Sequence, residues 1–441
     1  MPDLLDRFFQ LRARRSNVRT ELIAGFTTFA AMAYILAVNP QILSASGMDF
    51  GAVVTATALA SAIMTAVFAL VTNWPIALAP GMGLNAFFAF TICGAMKVPW
   101  QAALAMVFLS GCGFLLLTFT GIRERIVRAI PHELKIAISA GIGLFILFIG
   151  LQKGGIIVDS PATLVTVGKL GEPRALLVLG GIALTAALHV RRVRGAIILV
   201  VIALTVAGAF IPGVDGTPLT KSPERWIAPP ASLAPTFMAF DFAYVFNHWQ
   251  QALPLVLAFL FVDLFDNMGT LIGVCSRLGF LNERGELPGI GRALAADASA
   301  AIVGSTLGTS TVTSYVESAA GAEEGGRTGL TALVVSVCFL FALVLHPLLR
   351  IVPVEATAPA LVIVGLLMMQ GVSQLDLRDF VKAVPCILTI VMMPLTFSIS
   401  EGLSIGFVFY CALMLLGGRA REVSATAWAL GALFLAHLLT R

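Results

Sequence analysis

Glu317 stands in the middle of Gly308-Thr-Ser-Thr-Val-Thr-Ser-Tyr-Val-Glu-Ser-Ala-Ala-Gly321, a polar stretch between apolar runs that end near Val303 and resume near Leu330. Asp263, Asp266, Asn267 and Thr270 lie at i, i+3, i+4 and i+7 of another apolar run, so a helix there carries all four on one face. Asp297 adds an acid near the start of the following run. No lysine or arginine lies inside these runs to neutralise the carboxylates. Such acids must be protonated, pair with hydrogen-bond donors or meet a cation. A protonated one is a proton carrier, and an ionised one accepts two N–H donors from a planar ligand. The plainer alternative is a carboxylate that satisfies the free N–H groups of a broken helix or nearby hydroxyls. That alternative weighs most for Asp297 and least for Glu317.

At bilayer depth an ionisable side chain costs about 2.5 to 3.5 kcal/mol on insertion scales, and irregular backbone survives only where protein or a cavity covers it. The stretch around Glu317 therefore reads as a binding site. A second segment has the same character: Pro75-Ile-Ala-Leu-Ala-Pro-Gly-Met-Gly-Leu-Asn85-Ala-Phe87-Phe88-Ala-Phe. Its prolines and glycines cannot form an uninterrupted helix. Asn85 can both donate and accept, which suits a heterocycle that presents both functions. Phe87 and Phe88 offer ring faces for stacking, unless they simply pack.

The elements that must position these groups are membrane spans. Of 441 residues 58% are hydrophobic and 12% charged, half the roughly 25% charge of a soluble domain. Apolar runs of about 20 residues alternate with short charged loops, the pattern of a polytopic helical membrane protein. The runs fall at 22–38, 53–71, 75–90 (broken), 102–119, 134–151, 176–189 and 197–210. After a Pro-rich loop over 212–249 they resume at 253–274, 293–303, 308–321 (broken), 330–349, 358–369, 381–399 and 403–416. The apolar tail at 428–439 is short for a span. With the N-terminus inside, Arg123 to Arg128, Arg191 to Arg194, Arg277 to Arg292, Arg327, Arg419 and Arg421 are all cytoplasmic, as the positive-inside rule requires. The broken segments are the third members of two sets of seven. Seven is odd, so the second set starts from the opposite side, and interrupted segments at matching positions of inverted halves point to a transporter site at the midplane.

Other classes fit poorly. The arginines form no basic face for nucleic acid. His132, His189, His248, His346 and His437 lie mostly at run ends without an HExxH pattern, and the six cysteines have unrelated spacings, so neither an intramembrane enzyme nor a metal site is expected. Residues 1–15 lack a signal-peptide core and suggest an uncleaved amphipathic helix on the inner surface.

The strings Ala79-Pro-Gly-Met-Gly-Leu-Asn-Ala-Phe-Phe88, Phe261-Val-Asp-Leu-Phe-Asp266 and Gly308 to Gly321 closely resemble the AzgA-like guanine/hypoxanthine/adenine permease branch of the nucleobase cation symporter-2 family, and the similarity covers essentially the whole chain. The resemblance implies an all-α membrane protein of 14 spans in two inverted repeats of seven, with spans 3 and 10 each a short strand plus a half-helix. It implies a core domain over 21–129 and 250–349 and a gate domain over 130–211 and 350–418. Outside these lie a cytoplasmic segment at 1–20, a periplasmic loop at 212–249 and a tail at 419–441. Carried over by motif, Glu317 and Asp263 would hold a purine base, helped by Asn85, Asp266 and backbone groups near Phe87 and Val316. Phe88, Ser318 and Thr27 complete the candidate substrate set; Glu317, Asp263 and Asp266 are candidates for proton coupling, and Asn267, Thr270 and Asp297 for polar support. The expected function is purine uptake across the inner membrane by proton symport, with an elevator-like core and no cofactor. Sodium coupling, an anion carrier of the same architecture and gate-to-gate homodimers remain open.

Overall fold

Hydrocarbon offers no water to backbone N–H and C=O groups, so an apolar run must close its hydrogen bonds within itself, and a helix does so. The computed structural model describes residues 2–120, 131–213, 217–223, 225–280 and 287–439. Arg123, Arg125, Arg128 and Arg284, part of the positive-inside reading, lie outside the described residues. Among the described residues, eight helical stretches are long and apolar enough to cross a membrane, and five further apolar helices are shorter. The chain is an all-α polytopic membrane protein.

The chain runs through α1 (Pro2–Phe9), α2 (Val18–Met32), α3 (Ile35–Ser44), α4 (Phe50–Thr72), strand β1 (Leu78–Pro80), α5 (Met82–Ala86), which continues as a π-helix (Phe87–Ala95), and α6 (Trp100–Thr120). Next come α7 (His132–Lys153), the hairpin strands β2 (Ile157–Ser160) and β3 (Leu164–Val167), α8 (Pro173–Val190) and α9 (Ala196–Gly208). Beyond the long loop lie α10 (Phe242–Asn247), α11 (Trp249–Arg277), α12 (Ile290–Leu307), β4 (Val312–Ser314), α13 (Ser318–Glu323) and α14 (Gly329–Ala342). The chain ends with α15 (His346–Arg350), α16 (Val354–Met368), α17 (Phe380–Leu395), α18 (Ile399–Leu416) and α19 (Ala425–Leu439). Side-chain caps mark several starts: Asp49 accepts from Ala52 N at α4, Thr328 from Leu330 N at α14, and Ser398 from Glu401 N at α18.

Two boundaries differ from the sequence expectation for identifiable reasons. The first run does not stop at Asn39-Pro40; the helix breaks earlier, at Ala33 and Tyr34, and α3 passes through Pro40 to Ser44. Asn39 is wholly buried and bonded to other side chains, so its polarity marks the interior rather than a loop. The run expected over 381–399 ends at Leu395, because Phe397 adopts a left-handed φ of 54° and Ser398 caps the next helix. The tail is a helix packed on α18, with the Phe434 ring 5.5 Å from that of Phe407 and 5.8 Å from that of Phe261.

The helices sort into two packing groups. In one, α4 packs on α14 and α12, α6 on α12 and α11, and α2 on α14 and α13. In the other, α7 packs on α16 and α17, and α16 on α8 and α9. The first group encloses a buried two-stranded antiparallel sheet in which Leu78 faces Ser314, Ala79 faces Thr313 and Pro80 faces Val312. Backbone bonds from Gly81 N to Thr311 O (2.9 Å) and Tyr315 N to Ala77 O (3.0 Å) extend it. The Thr65 hydroxyl donates to Leu78 O and accepts from Leu78 N, so polar backbone that leaves helical geometry is still satisfied. At the N-terminus, buried Phe9 and Leu11 pack against Leu330, and Asn73 Nδ2 donates to Phe9 O. The segment expected to lie on the membrane surface is thus also docked on the protein.

Candidate functional site

Each strand of the central sheet leads into a helix that starts at the sheet. Gly81 caps α5 after β1, and Glu317 occupies the capping position of α13 after β4. The strands are antiparallel, so the two helix N-termini, with their partial positive charge, are held around one sheet and open toward polar groups.

Glu317 accepts a 2.5 Å hydrogen bond at Oε1 from the Tyr34 hydroxyl. Tyr34 is fully buried where the chain breaks between α2 and α3, so an irregularity of the first span delivers a donor to the acid. The partner shown for Glu317 is a phenol, not a cation. On α11, Asp263 and Asn267 are buried while Asp266 and Thr270 are half-buried, as the spacing on one face requires. The Asp266 carboxylate lies beside the start of α5: a Cβ built on Gly81 would stand 3.9 Å from Asp266 Oδ2. Asn267 Oδ1 accepts from Ser314 Oγ at 2.5 Å, and Asp297 Oδ1 accepts from Thr313 Oγ1 at 3.2 Å. These two residues hold β4 to α11 and α12.

Asn85 is fully buried and donates through Nδ2 to Asn39 Oδ1 at 2.5 Å. Asn39 in turn donates to Thr57 Oγ1 (2.7 Å) and Thr309 Oγ1 (3.0 Å), so one amide joins α3, α4, α5 and the segment before β4. The Asn85 Oδ1 atom makes no hydrogen bond among the described residues, and it is the acceptor this network leaves over. Phe87 and Phe88 are wholly buried, and Phe87 packs edge-on against Phe259 at 5.1 Å. Their rings stand in the protein interior, in contrast to Val316, which is 45% exposed beside Glu317. Ser318 Oγ accepts from Ala77 N at 3.0 Å, tying α13 to β1, and Thr27 is a buried hydroxyl on α2.

The arrangement brings together Glu317, Asp266 and the starts of α5 and α13, with Asn85 one turn into α5. It places Asp297, Asn267 and Ser318 in contacts that build the scaffold. Three contributing residues were not singled out from sequence: Tyr34, Asn39 and Tyr315, whose hydroxyl donates to Pro80 O at 2.6 Å. A signal existed for each, since tyrosines are few in this chain and Tyr34 and Tyr315 fall inside an apolar and a broken run, while Asn39 follows directly on the first run. Chemically the site offers carboxylate acceptors, a phenol and the polarised ends of two helices in buried surroundings. The carboxylate acceptors complement a neutral planar ligand with several N–H donors.

Residues 19–405 match the Permease family model Xan_ur_permease. The chain is 45% identical to the guanine/hypoxanthine permease PbuG of Bacillus subtilis, over 98% of this chain and 99% of that protein. It is 40% identical to the adenine permease AdeP of Escherichia coli, over 99% of this chain and 96% of that protein. Among solved structures, the transmembrane domain of the cyanobacterial bicarbonate transporter BicA superposes with a TM-score of 0.65 at 15% identity, covering 88% of this chain and 96% of that one, a likeness of fold alone.

Proposed function

Because the chain belongs to the Permease family, we propose that it is a secondary transporter that imports purine bases, namely hypoxanthine, guanine or adenine, by proton symport. The observation that carries this reading is Glu317 at the start of α13, bonded to the Tyr34 phenol and without a basic partner in its span, with Asp266 beside the start of α5. A carboxyl so placed can accept the N–H donors of a neutral base and release or take up a proton as the site changes sides. The two relatives above, a guanine/hypoxanthine permease and an adenine permease, favour purines. The finer placement on the AzgA-like branch rests on the three sequence strings.

The mechanism rests on two inverted repeats. Contacts come in pairs that such a symmetry relates: α4 on α14 with α12 on α6, α2 on α14 with α11 on α6, and α16 on α8 with α7 on α17. The helices α4 and α12 meet each other, as do α7 and α16. This supports a core of spans 1–4 and 8–11 that carries the site past a gate of spans 5–7 and 12–14, with spans 3 and 10 broken at the central sheet. Contacts between loops support the count of 14. Arg194 with Glu324, Lys382 with Glu133 and Arg419 with Asp379 each join ends that this count puts on the arginine-rich, cytoplasmic side. Arg174 with Glu355, and Gln41 with the Val352 carbonyl, join ends on the other side.

An anion carrier is disfavoured, because Asp263 and Glu317 would repel the cargo and the likeness to a bicarbonate transporter carries the fold only. The test is uptake of labelled hypoxanthine, guanine and adenine by cells that lack their own purine carriers. Uptake that stops when a protonophore is added supports the reading. Uptake sustained by sodium after the protonophore replaces proton coupling, and absence of purine uptake removes the function.

A further inference from the structure

A cavity walled by two aromatic rings, an isoleucine, a glutamine and a lysine lies away from Glu317. It has a volume of about 250 Å³ and is lined by Phe90, Ile149, Gln152, Lys153 and Phe397. That is just below the roughly 300 to 1,000 Å³ of pockets for drug-sized ligands, a scale that suits one heterocyclic base. Phe90 lies eight residues beyond Met82 in the same helical stretch, about 12 Å along its axis from the end that faces the sheet. Gln152 and Lys153 end α7, opposite the Glu133 end that pairs with Lys382. The cavity therefore sits between the central site and the side away from the arginine-rich loops.

Its walls are specialised. The rings of Phe90 and Phe397 are 6.4 Å apart at 81°, so a planar ligand stacked on one meets the edge of the other. Lys153 Nζ is 5.3 Å from the Phe90 ring centroid, and no carboxylate pairs with it among the described residues. Phe397 holds a left-handed φ of 54°, a conformation rare for a bulky residue. It is kept there by ring contacts to Phe145 and Phe148 and by a 2.5 Å bond from Thr91 Oγ1 to its carbonyl. Thr91 lies on the π-helix, which packs on α6 of the first group, and Phe397 lies in the turn after α17, which packs on α7 of the second, so the aromatic wall lies at the seam between the groups.

We propose that this cavity is an entry subsite for the base and that Lys153 makes it select 6-oxopurines over adenine, an inference that rests on the purine-transport reading above. Guanine and hypoxanthine present the O6 acceptor, joined by N7 in the N9–H tautomer, whereas adenine presents at the same place an N6 amine that donates. An ammonium has donors only, so it complements the first edge and opposes the amine of the second. The Gln152 amide both donates and accepts and serves either base. Discrimination falls to Lys153, and stacking on Phe90 and Phe397 supplies affinity for any base.

The test is competition of unlabelled hypoxanthine, guanine and adenine against labelled hypoxanthine and labelled adenine in cells that make the full chain. In the wild type the 6-oxopurines should compete about tenfold better than adenine, and Lys153→Met should erase most of that ratio. Lys153→Arg should keep it, and Phe397→Leu should weaken all three bases together. The ratio is read within one preparation, so reduced expression does not alter it, and Lys153→Gln supplies a second neutral variant. A wild type that prefers adenine, or a ratio unchanged in both neutral variants, overturns the proposal and leaves purine transport standing. A wild type that takes up no purine fails the function reading instead.

Discussion

Gly321→Ala is the sharpest structural perturbation of the site, because it acts on Glu317 without touching it. Gly321 lies on α13, where that helix crosses α2. An added Cβ would stand 2.1 Å from Thr28 Oγ1 and 2.7 Å from Ala24 O. The Thr28 hydroxyl makes no hydrogen bond among the described residues, so it can turn aside. The Ala24 carbonyl is helix backbone and cannot. Ordinary contact begins at 3.4 Å, so α13 must back away from α2 by about 0.7 Å after Thr28 has moved. Glu317, one turn earlier, would be drawn from Tyr34 on the α2 side of the site. Overpacking of this kind costs roughly 1 to 3 kcal/mol. A misplacement of about 1 Å costs on the order of a hundredfold in a positioned reaction, so a tenfold or greater fall in uptake per inserted molecule is expected. The assay is initial uptake at low substrate, normalised to protein in the membrane, with thermal unfolding in detergent beside it. Wild-type uptake with an unchanged midpoint would refute the reasoning. So would full recovery in Thr28→Ala/Gly321→Ala, since the carbonyl obstacle remains in that double variant.

Tyr34→Phe removes the hydroxyl that donates to Glu317; a hydrogen bond to a charged group is worth about 1.5 to 3 kcal/mol, so kcat/KM for uptake should fall between about tenfold and a hundredfold with normal expression. Unchanged kinetics would show that the phenol does not position the acid. Glu21→Ala addresses stability: its carboxylate accepts from Arg327 N, Thr328 N, Thr331 N and the Thr331 hydroxyl at 2.6 to 3.3 Å, satisfying the start of α14 from another helix. Leaving those donors unmet should cost roughly 1 to 3 kcal/mol in thermal or denaturant unfolding, with Glu21→Gln recovering part; equal stability of Glu21→Ala and wild type contradicts the capping role.

Apolar runs disclosed the helices because burial in lipid dictates them, and the two broken segments announced themselves through proline, glycine and threonine where hydrocarbon should have been. The Asp263 to Thr270 face followed from helical spacing alone. What escaped is long-range: Asn39 looks like a helix end, since its partners Thr57, Asn85 and Thr309 are up to 270 positions away. Tyr34 looks like packing until its hydroxyl is seen on a carboxylate 283 positions along. Ser318 could be placed beside Glu317 but not read as a tie to Ala77, because pairing of β1 with β4 is a property of the fold and not of either string.

The central claim is that Glu317 holds the base and links its passage to a proton. Purified protein in liposomes, given an inside-alkaline gradient and labelled hypoxanthine, tests it most directly. The wild type should accumulate the base above equilibrium only while the gradient lasts, and Glu317→Gln should not accumulate it at all. Accumulation by Glu317→Gln at the wild-type level, or by the wild type regardless of the gradient, would contradict the account.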